Sequence, residues 1–314
     1  MKIGLVDKNG SLHPLAYGLK KNGNDVKYWI TNKDKTKIGD GLVDKIDSEK
    51  ELKGRLVIGE QGGGKDNHIG PTFIALKLEE DPLYARSVCE SVGIKTLNTV
   101  KFTNLKEINN LKMDNGCILT TEGPSGDTTY TLKSKEYLNQ YVNFETNVKK
   151  AKTFTVQERI DGIEISIEGW FCHYSGWHSP LLSTLNFNKT HSLTWHWRGE
   201  TPKLFKQTFE KLTAYLTKIK FIGWLSGKFI IDYKTRQIYF LSFSFDYPWS
   251  AFCVLLGSDT GKFVTSVSGG ESFKPSLFYT FIAIQHLYAT SAPEMPVMAP
   301  LHEDARLYPC DVYL

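Results

Sequence analysis

Short apolar runs divided by polar turns open the chain. Residues 2–6 (KIGLV) are a mostly apolar run, and Lys8, Asn9 and Gly10 follow as turn chemistry. Residues 11–21 predict a helix that Asn22, Gly23 and Asn24 stop, and DVKYWI then resumes an extended pattern. Strand, helix, strand in that order predicts the start of a parallel α/β domain. Another strand is expected at 56–58, before a loop with three adjacent glycines (EQGGGKDNHIGP). Residues 81–91 predict a helix, with Asp81 as N-cap, Pro82 at the first helical position and Gly93 beyond its end.

From about residue 100 to 156 the pattern turns to strands, with the polar loop TTEGPSGDTT at its centre. Residues 153–170 alternate around a turn at Asp161–Gly162, which predicts a β-hairpin. Phe205, Phe209, Leu212, Leu216 and Ile219 recur at helical spacing, so 203–219 predicts an amphipathic helix. Strands are expected at 225–232 and 237–245, joined by a turn at 233–236. A last apolar helix is expected at 275–289. The tail, with Pro293, Pro296 and Pro300, reads as irregular.

Composition narrows the class. With 41% hydrophobic and 23% charged residues, the 314-residue chain is neither disordered nor fibrous. The net charge of +4 is too small and too scattered for a dedicated nucleic-acid-binding protein, so nucleic acid is not the expected partner. No apolar run approaches the roughly 18 residues that span a bilayer, and the start reads as a strand rather than a leader. The five cysteines lack C-x-x-C spacing, which predicts reduced, buried thiols in a cytoplasmic protein.

Taken in order, several segments resemble the ATP-grasp superfamily, and more narrowly the phosphoribosylamine–glycine ligase family. Leu12-His13-Pro14-Leu15-Ala16 stands where that family begins its first helix with Glu-His-Ala-Leu-Ala. Gly70-Pro71, Leu78-Glu79-Glu80-Asp81-Pro82, Tyr84-Ala85-Arg86 and Gly93-Ile94-Lys95-Thr96 follow its next motifs. Gln157-Glu158-Arg159-Ile160-Asp161-Gly162-Ile163-Glu164-Ile165-Ser166 matches its hinge strand, and this match is the most specific. The resemblance runs over roughly residues 1–250. It implies a pre-ATP-grasp α/β domain over 1–75, an ATP-grasp domain over 76–290 with a lid at about 112–157, and a tail over 291–314.

The function so implied is an ATP-dependent carboxylate–amine ligase that forms an amide through an acyl-phosphate, with a place in purine biosynthesis. By resemblance Glu158 sits beside the adenine amine, the Ile160 backbone meets the adenine edge, and Glu164 accepts from the ribose hydroxyls. Arg86, Thr120, Ser125 and Gly126 complete the nucleotide set, the last two in a lid loop at 121–129. ATP is the implied cofactor, with small amine and carboxylate substrates.

The late strands depart from the family. Lys228 takes the place of a metal-binding acid, and Ser242 and Ser244 replace Glu and Asn. Pro82 and Thr120 replace phosphate-binding lysines. Serine is a poor Mg²⁺ ligand and a lysine repels the ion, although it neutralises phosphate by itself. Asp232 is therefore the candidate metal ligand, and Lys228 and Asp246 are the candidate catalytic residues. The alternative reading is an inactive ATP-grasp descendant that binds a nucleotide or a protein partner.

Three other patterns have plainer readings. Gly59 to Asp66 nearly has phosphate-loop spacing, but Asp66 replaces the Ser/Thr and no helix start follows, which favours a turn or substrate loop. His173 with His178, and His191 with His196, are five residues apart and read as unrelated surface histidines. Trp195, His196, Trp197 and Arg198 could stack on a ligand or pack as an amphipathic strand.

Overall fold

The computed structural model describes residues 1–60, 67–103, 116–123, 126–134, 136–137, 140, 153–186, 191–196, 203–276 and 281–285. The chain divides into two compact units. The first comprises residues 1–88, 164–228 and the chain from 242 on; the second comprises 89–163 and 229–241.

The first unit opens with strands β1 (Lys2–Asp7) and β2 (Asp25–Ile30), with helix α1 (His13–Lys21) between them. β3 (Asp44–Lys45), β4 (Leu56–Gly59) and β5 (His68–Ile69) complete an all-parallel sheet in the order β3-β2-β1-β4-β5. The helix starts two residues later than its pattern predicts. The Asp7 carboxylate accepts from the amides of Gly10 and Leu12 and from the Tyr28 hydroxyl, which holds the preceding turn open. Gly10 has φ +89°, a left-handed conformation that favours glycine. α2 (Phe73–Glu80) is unannounced by periodicity, and the Thr72 hydroxyl caps it by accepting from the Ala75 amide at 3.1 Å. α3 (Pro82–Ser91) follows, with Asp81 accepting from the amides of Leu83 and Tyr84, as the sequence predicts.

The second unit holds β6 (Thr99–Phe102), β7 (Cys117–Gly123), β8 (Gly126–Leu132) and β9 (Thr153–Glu158), an antiparallel sheet in the order β6-β9-β7-β8. Its core is Phe102, Cys117, Leu119, Leu132, Phe154 and Val156.

Six further strands and three helices follow: β10 (Gly162–Cys172), β11 (Gly176–Asn186), β12 (His191–His196), α4 (Lys203–Lys218), β13 (Ile222–Asp232), β14 (Ile238–Ser244), α5 (Trp249–Leu256), α6 (Thr260–Ser268) and β15 (Phe281–Gln285). The strands form one sheet in the order β14-β13-β10-β11-β12-β15. The predicted hairpin over 153–170 is thereby corrected, because β9 and β10 belong to different sheets. Residues 159–161 carry the chain from one to the other, and Asp161 spends its backbone carbonyl on the Tyr233 amide rather than on a hairpin ladder. The predicted helix at 275–289 is also corrected. Residues 281–285 are a strand paired antiparallel with β12 through the register Ser192↔Ile284 and Thr194↔Ile282, so ladder pairing overrides an apolar run of ambiguous period. The tail and Cys310 lie outside the described residues.

Packing in the first unit centres on Trp170, whose ring lies 5.4 Å from Trp224, 5.7 Å from Phe252 and 5.5 Å from Phe263. On α4 the predicted stripe is buried at Phe209, Leu212 and Leu216; the Phe205 side chain lies outside the described residues. Cys89, Cys117, Cys172 and Cys253 are free and buried. No helix among the described residues is long and apolar enough to cross a membrane.

Candidate functional site

Strand side chains alternate between faces, so Glu164, Ser166 and Glu168 share one face of β10. Ser226 and Lys228 share a face of β13, as do Ser242 and Ser244 of β14. Glu168 is 2% exposed. Its carboxylate accepts from the Thr184 hydroxyl at 3.3 Å and is hydrogen-bonded by Ser226, and Thr184 in turn meets the Thr194 hydroxyl at 2.9 Å. Burial pushes the Glu168 carboxyl up to about 8, against the two hydroxyls and Lys228, which favour its charged form. Lys228 is the one exposed residue of β13 and has no ion-pair partner among the described residues.

Beside Glu168 lie two buried polar atoms without a hydrogen-bond partner, Trp170 Nε1 and Tyr247 Oη. Their rings meet edge-on at 6.3 Å, and the indole N–H comes near the phenol oxygen without hydrogen-bonding geometry. Burial first, and Glu168 second, hold the Tyr247 hydroxyl well above its ordinary value.

A second group of carboxylates lies where the parallel strands end. In open parallel sheets ligands meet the carboxyl ends at the point where strand order reverses, here between β1 and β4. Glu60 follows β4 and accepts from the Lys8 amide at 2.9 Å and from the Ser11 hydroxyl. Burial raises its carboxyl, Asp7 raises it further, and Asp246 adds a smaller push. Glu79, on α2, accepts from the Ser244 hydroxyl at 2.9 Å and from the Phe245 amide at 3.4 Å. Desolvation of its carboxyl raises it, and Asp246 adds to the shift. Asp246 is exposed, and its amide donates to Ser244 Oγ at 2.9 Å.

Of the sequence-predicted residues, Arg86, Glu164, Lys228 and Asp246 fall in the first unit. Arg86 is half-buried on α3, and Glu164 is exposed at the start of β10. Thr120, Gly126, Glu158, Ile160 and Asp232 fall in the second unit. Thr120 stands on β7 opposite Thr129 and Thr155, and Gly126 opposite Gly123 closes the β7–β8 ladder. Glu158 is exposed at the end of β9, where its amide donates to the Asn98 carbonyl at 2.7 Å. Ile160 is half-buried in the link that follows, where Arg159 pairs with Asp161 at 2.6 Å. Ser125, residues 61–66 of the glycine loop, Trp197 and Arg198 lie outside the described residues.

The histidine expectation is corrected in part. His178 and His196 are buried rather than on the surface, since β11 and β12 turn them inward; His178 meets the Ser175 hydroxyl at 2.8 Å. An open groove of about 460 Å³ in the second unit, lined by Glu90, Gly93, Ile94, Lys95, Thr96 and Tyr239, holds none of the predicted residues. Lys95 is already paired with Gln237, and Thr96 with Glu90.

Glu158 in the second unit and Glu164 and Lys228 in the first are each exposed. Among the described residues, the positions expected to hold a divalent ion carry groups that are poor or occupied ligands. Lys228 brings positive charge to the expected ligand position, and the Ser244 hydroxyl is held by Glu79 and the Asp246 amide. Asp232 spends one oxygen on the Lys234 amide at 2.8 Å and the other on the Thr235 hydroxyl at 2.7 Å, closing its own turn. Those bonds lower its carboxyl below the usual range. Among the described residues, no group of three His, Cys, Asp or Glu side chains could hold a metal ion.

Sequence reasoning passed over Glu168. Its signal was the phase of β10, in which residue 168 shares the face of Trp170 and Cys172, so that a glutamate falls at a position the core claims. The roles of Glu60 and Glu79 needed partners 49 and 165 residues away along the chain.

No protein-family model matches the sequence, and no curated protein matches it. Solved structures do. Phosphoribosylamine–glycine ligase from Thermotoga maritima superposes with a TM-score of 0.71 at 17% identity, covering 94% of this chain and 82% of that one. N5-carboxyaminoimidazole synthetase from Staphylococcus aureus gives 0.61 at 15% identity over 87% and 78%. The biotin carboxylase domain of the Hydrogenobacter thermophilus 2-oxoglutarate carboxylase, in complex with MgADP, ADP and bicarbonate, gives 0.62 at 14% over 90% and 73%. At these identities the likeness concerns fold alone, and the chain has the mixed α/β architecture of these three proteins.

Proposed function

We propose that the protein binds ATP and uses it to join a carboxylate to an amine. The observation that carries this reading lies in the first unit. There, Lys228, with no ion-pair partner among the described residues, stands exposed on the sheet, and carboxylates lie at the carboxyl ends of the parallel strands. The fold neighbours, named as a ligase, a synthetase and a carboxylase, support it.

In this reading Glu158 and the Ile160 backbone hold the base, Glu164 the ribose, and Arg86, Thr120, Ser125, Gly126 and Lys228 the phosphates. ATP supplies the phosphoryl group that turns a carboxylate oxygen into a leaving group. Asp246 and Glu79 attract a cationic amine. The ammonium first gives a proton to Glu60; the neutral amine nitrogen then bonds to the carbonyl carbon, the carbon–oxygen bond breaks with its electron pair leaving on phosphate, and the second N–H proton passes to the departing phosphate. Burial and Asp7 raise the Glu60 carboxyl above its ordinary value, which makes it a stronger base than an exposed glutamate.

The test is phosphate release from ATP across a panel of amines and carboxylates. Release that needs both partners, and is lost in Glu164→Ala, is the expected result. The serines and lysine at the metal positions favour one other reading, a non-catalytic nucleotide-binding descendant. ATP binding without release for any pair would select it.

A further inference from the structure

We propose that Lys228 takes the place of a divalent cation in this protein, so that the triphosphate is held by an ammonium on the sheet face and binding needs no metal. This rests on the nucleotide-binding reading above. The residues at the expected metal positions do not form a ligand set. Lys228 points out of a strand whose other residues are buried or half-buried, and no carboxylate among the described residues pairs with it within 4 Å. The Ser244 hydroxyl is held by Glu79 and the Asp246 amide, and both Asp232 oxygens serve a turn.

Glu168 makes the substitution workable and acts as a positioning residue. It lies buried on the neighbouring strand, on the side to which Ser226 and Lys228 turn. An ionised carboxylate there would attract Lys228 and offset part of its charge. Burial keeps that carboxyl neutral at ordinary pH, so the ammonium stays available to a phosphate. β11 and β12 present the hydroxyls of Thr184 and Thr194, β13 presents Ser226 and Lys228, and the segment after β14 presents Tyr247. The Tyr247 hydroxyl is held neutral far above this range, so Glu168 is the group that titrates.

The experiment is calorimetric titration of ATP into the full chain, once with Mg²⁺ and once with EDTA. The expected result is similar affinity in both buffers, about tenfold or more weaker for Lys228→Met, and restored by Lys228→Arg. Wild-type affinity should weaken as pH rises through about 8, and Glu168→Gln should remove that weakening. Binding that requires Mg²⁺ and ignores Lys228→Met would overturn the inference while leaving the nucleotide reading intact. Absence of binding in both buffers would overturn both.

Discussion

The Ser244 hydroxyl donates to the Glu79 carboxylate at 2.9 Å, tying the end of strand β14 to the last turn of α2 across 165 residues of sequence. The family resemblance aligns Ser244 with a metal-binding asparagine. Its hydroxyl is instead part of a protein–protein bond network that also takes the Asp246 amide.

Coupling between these two residues is measurable. A single neutral or charge-assisted hydrogen bond of this kind contributes about 1–2 kcal/mol. Ser244→Ala and Glu79→Gln should each lower stability by about that much in chemical denaturation. The double variant should lose less than the sum of the two. Full additivity would mean the bond contributes nothing.

Glu168 should give the protein an alkaline weakness. Its folded carboxyl, at about 8, lies above the ordinary 4.5, so the folded state holds the proton more tightly than the unfolded chain. That stabilisation is fully present below about 4.5 and is lost as pH rises through about 8, a change on the order of a few kcal/mol. Melting temperature should therefore fall as pH rises from about 4.5 to about 8 and level off above it, and Glu168→Gln should flatten the fall. An unchanged slope in the variant would remove Glu168 as the cause.

His13 should give the opposite weakness in acid. Burial chiefly, with a contribution from Lys45, holds its imidazole down at about 4 against an ordinary 6.5. Folding therefore favours the neutral ring. Stability is full above 6.5 and falls as pH drops through about 4, by roughly 3 kcal/mol. Acid titration of His13→Gln followed by circular dichroism should show a shallower loss than the wild type.

Gly70 joins two parts of the first unit at close range. Its amide donates to the Ile222 carbonyl at 2.8 Å, its φ is +143°, and an added Cβ would fall 1.9 Å from the Gly59 carbonyl oxygen. Gly70→Ala should cost about 3 kcal/mol or more, since backbone strain of roughly 1–3 kcal/mol adds to a clash with main chain that cannot rotate away. Chemical denaturation would measure it, and a near-neutral result would contradict the close approach.

Much of the architecture was determined along the chain itself. The period of residues 203–219, the Asp81–Pro82 helix start and the strand–helix–strand opening are local signals, and local sterics and capping act on neighbours in sequence. The expectation that Glu158, Ile160 and Glu164 form a nucleotide hinge came from a different source, the order of a known motif. Tertiary structure decided what depends on partners far away. β9 and β10 look like a hairpin until each finds its ladder in a separate sheet, and 281–285 looks helical until β12 offers it an edge. Glu168 is an ordinary alternating residue in the sequence; its neutral carboxyl exists because β11 and β13 close over it. Hydrogen bonding and desolvation depend on what surrounds a group in space, and the linear order of residues does not state that.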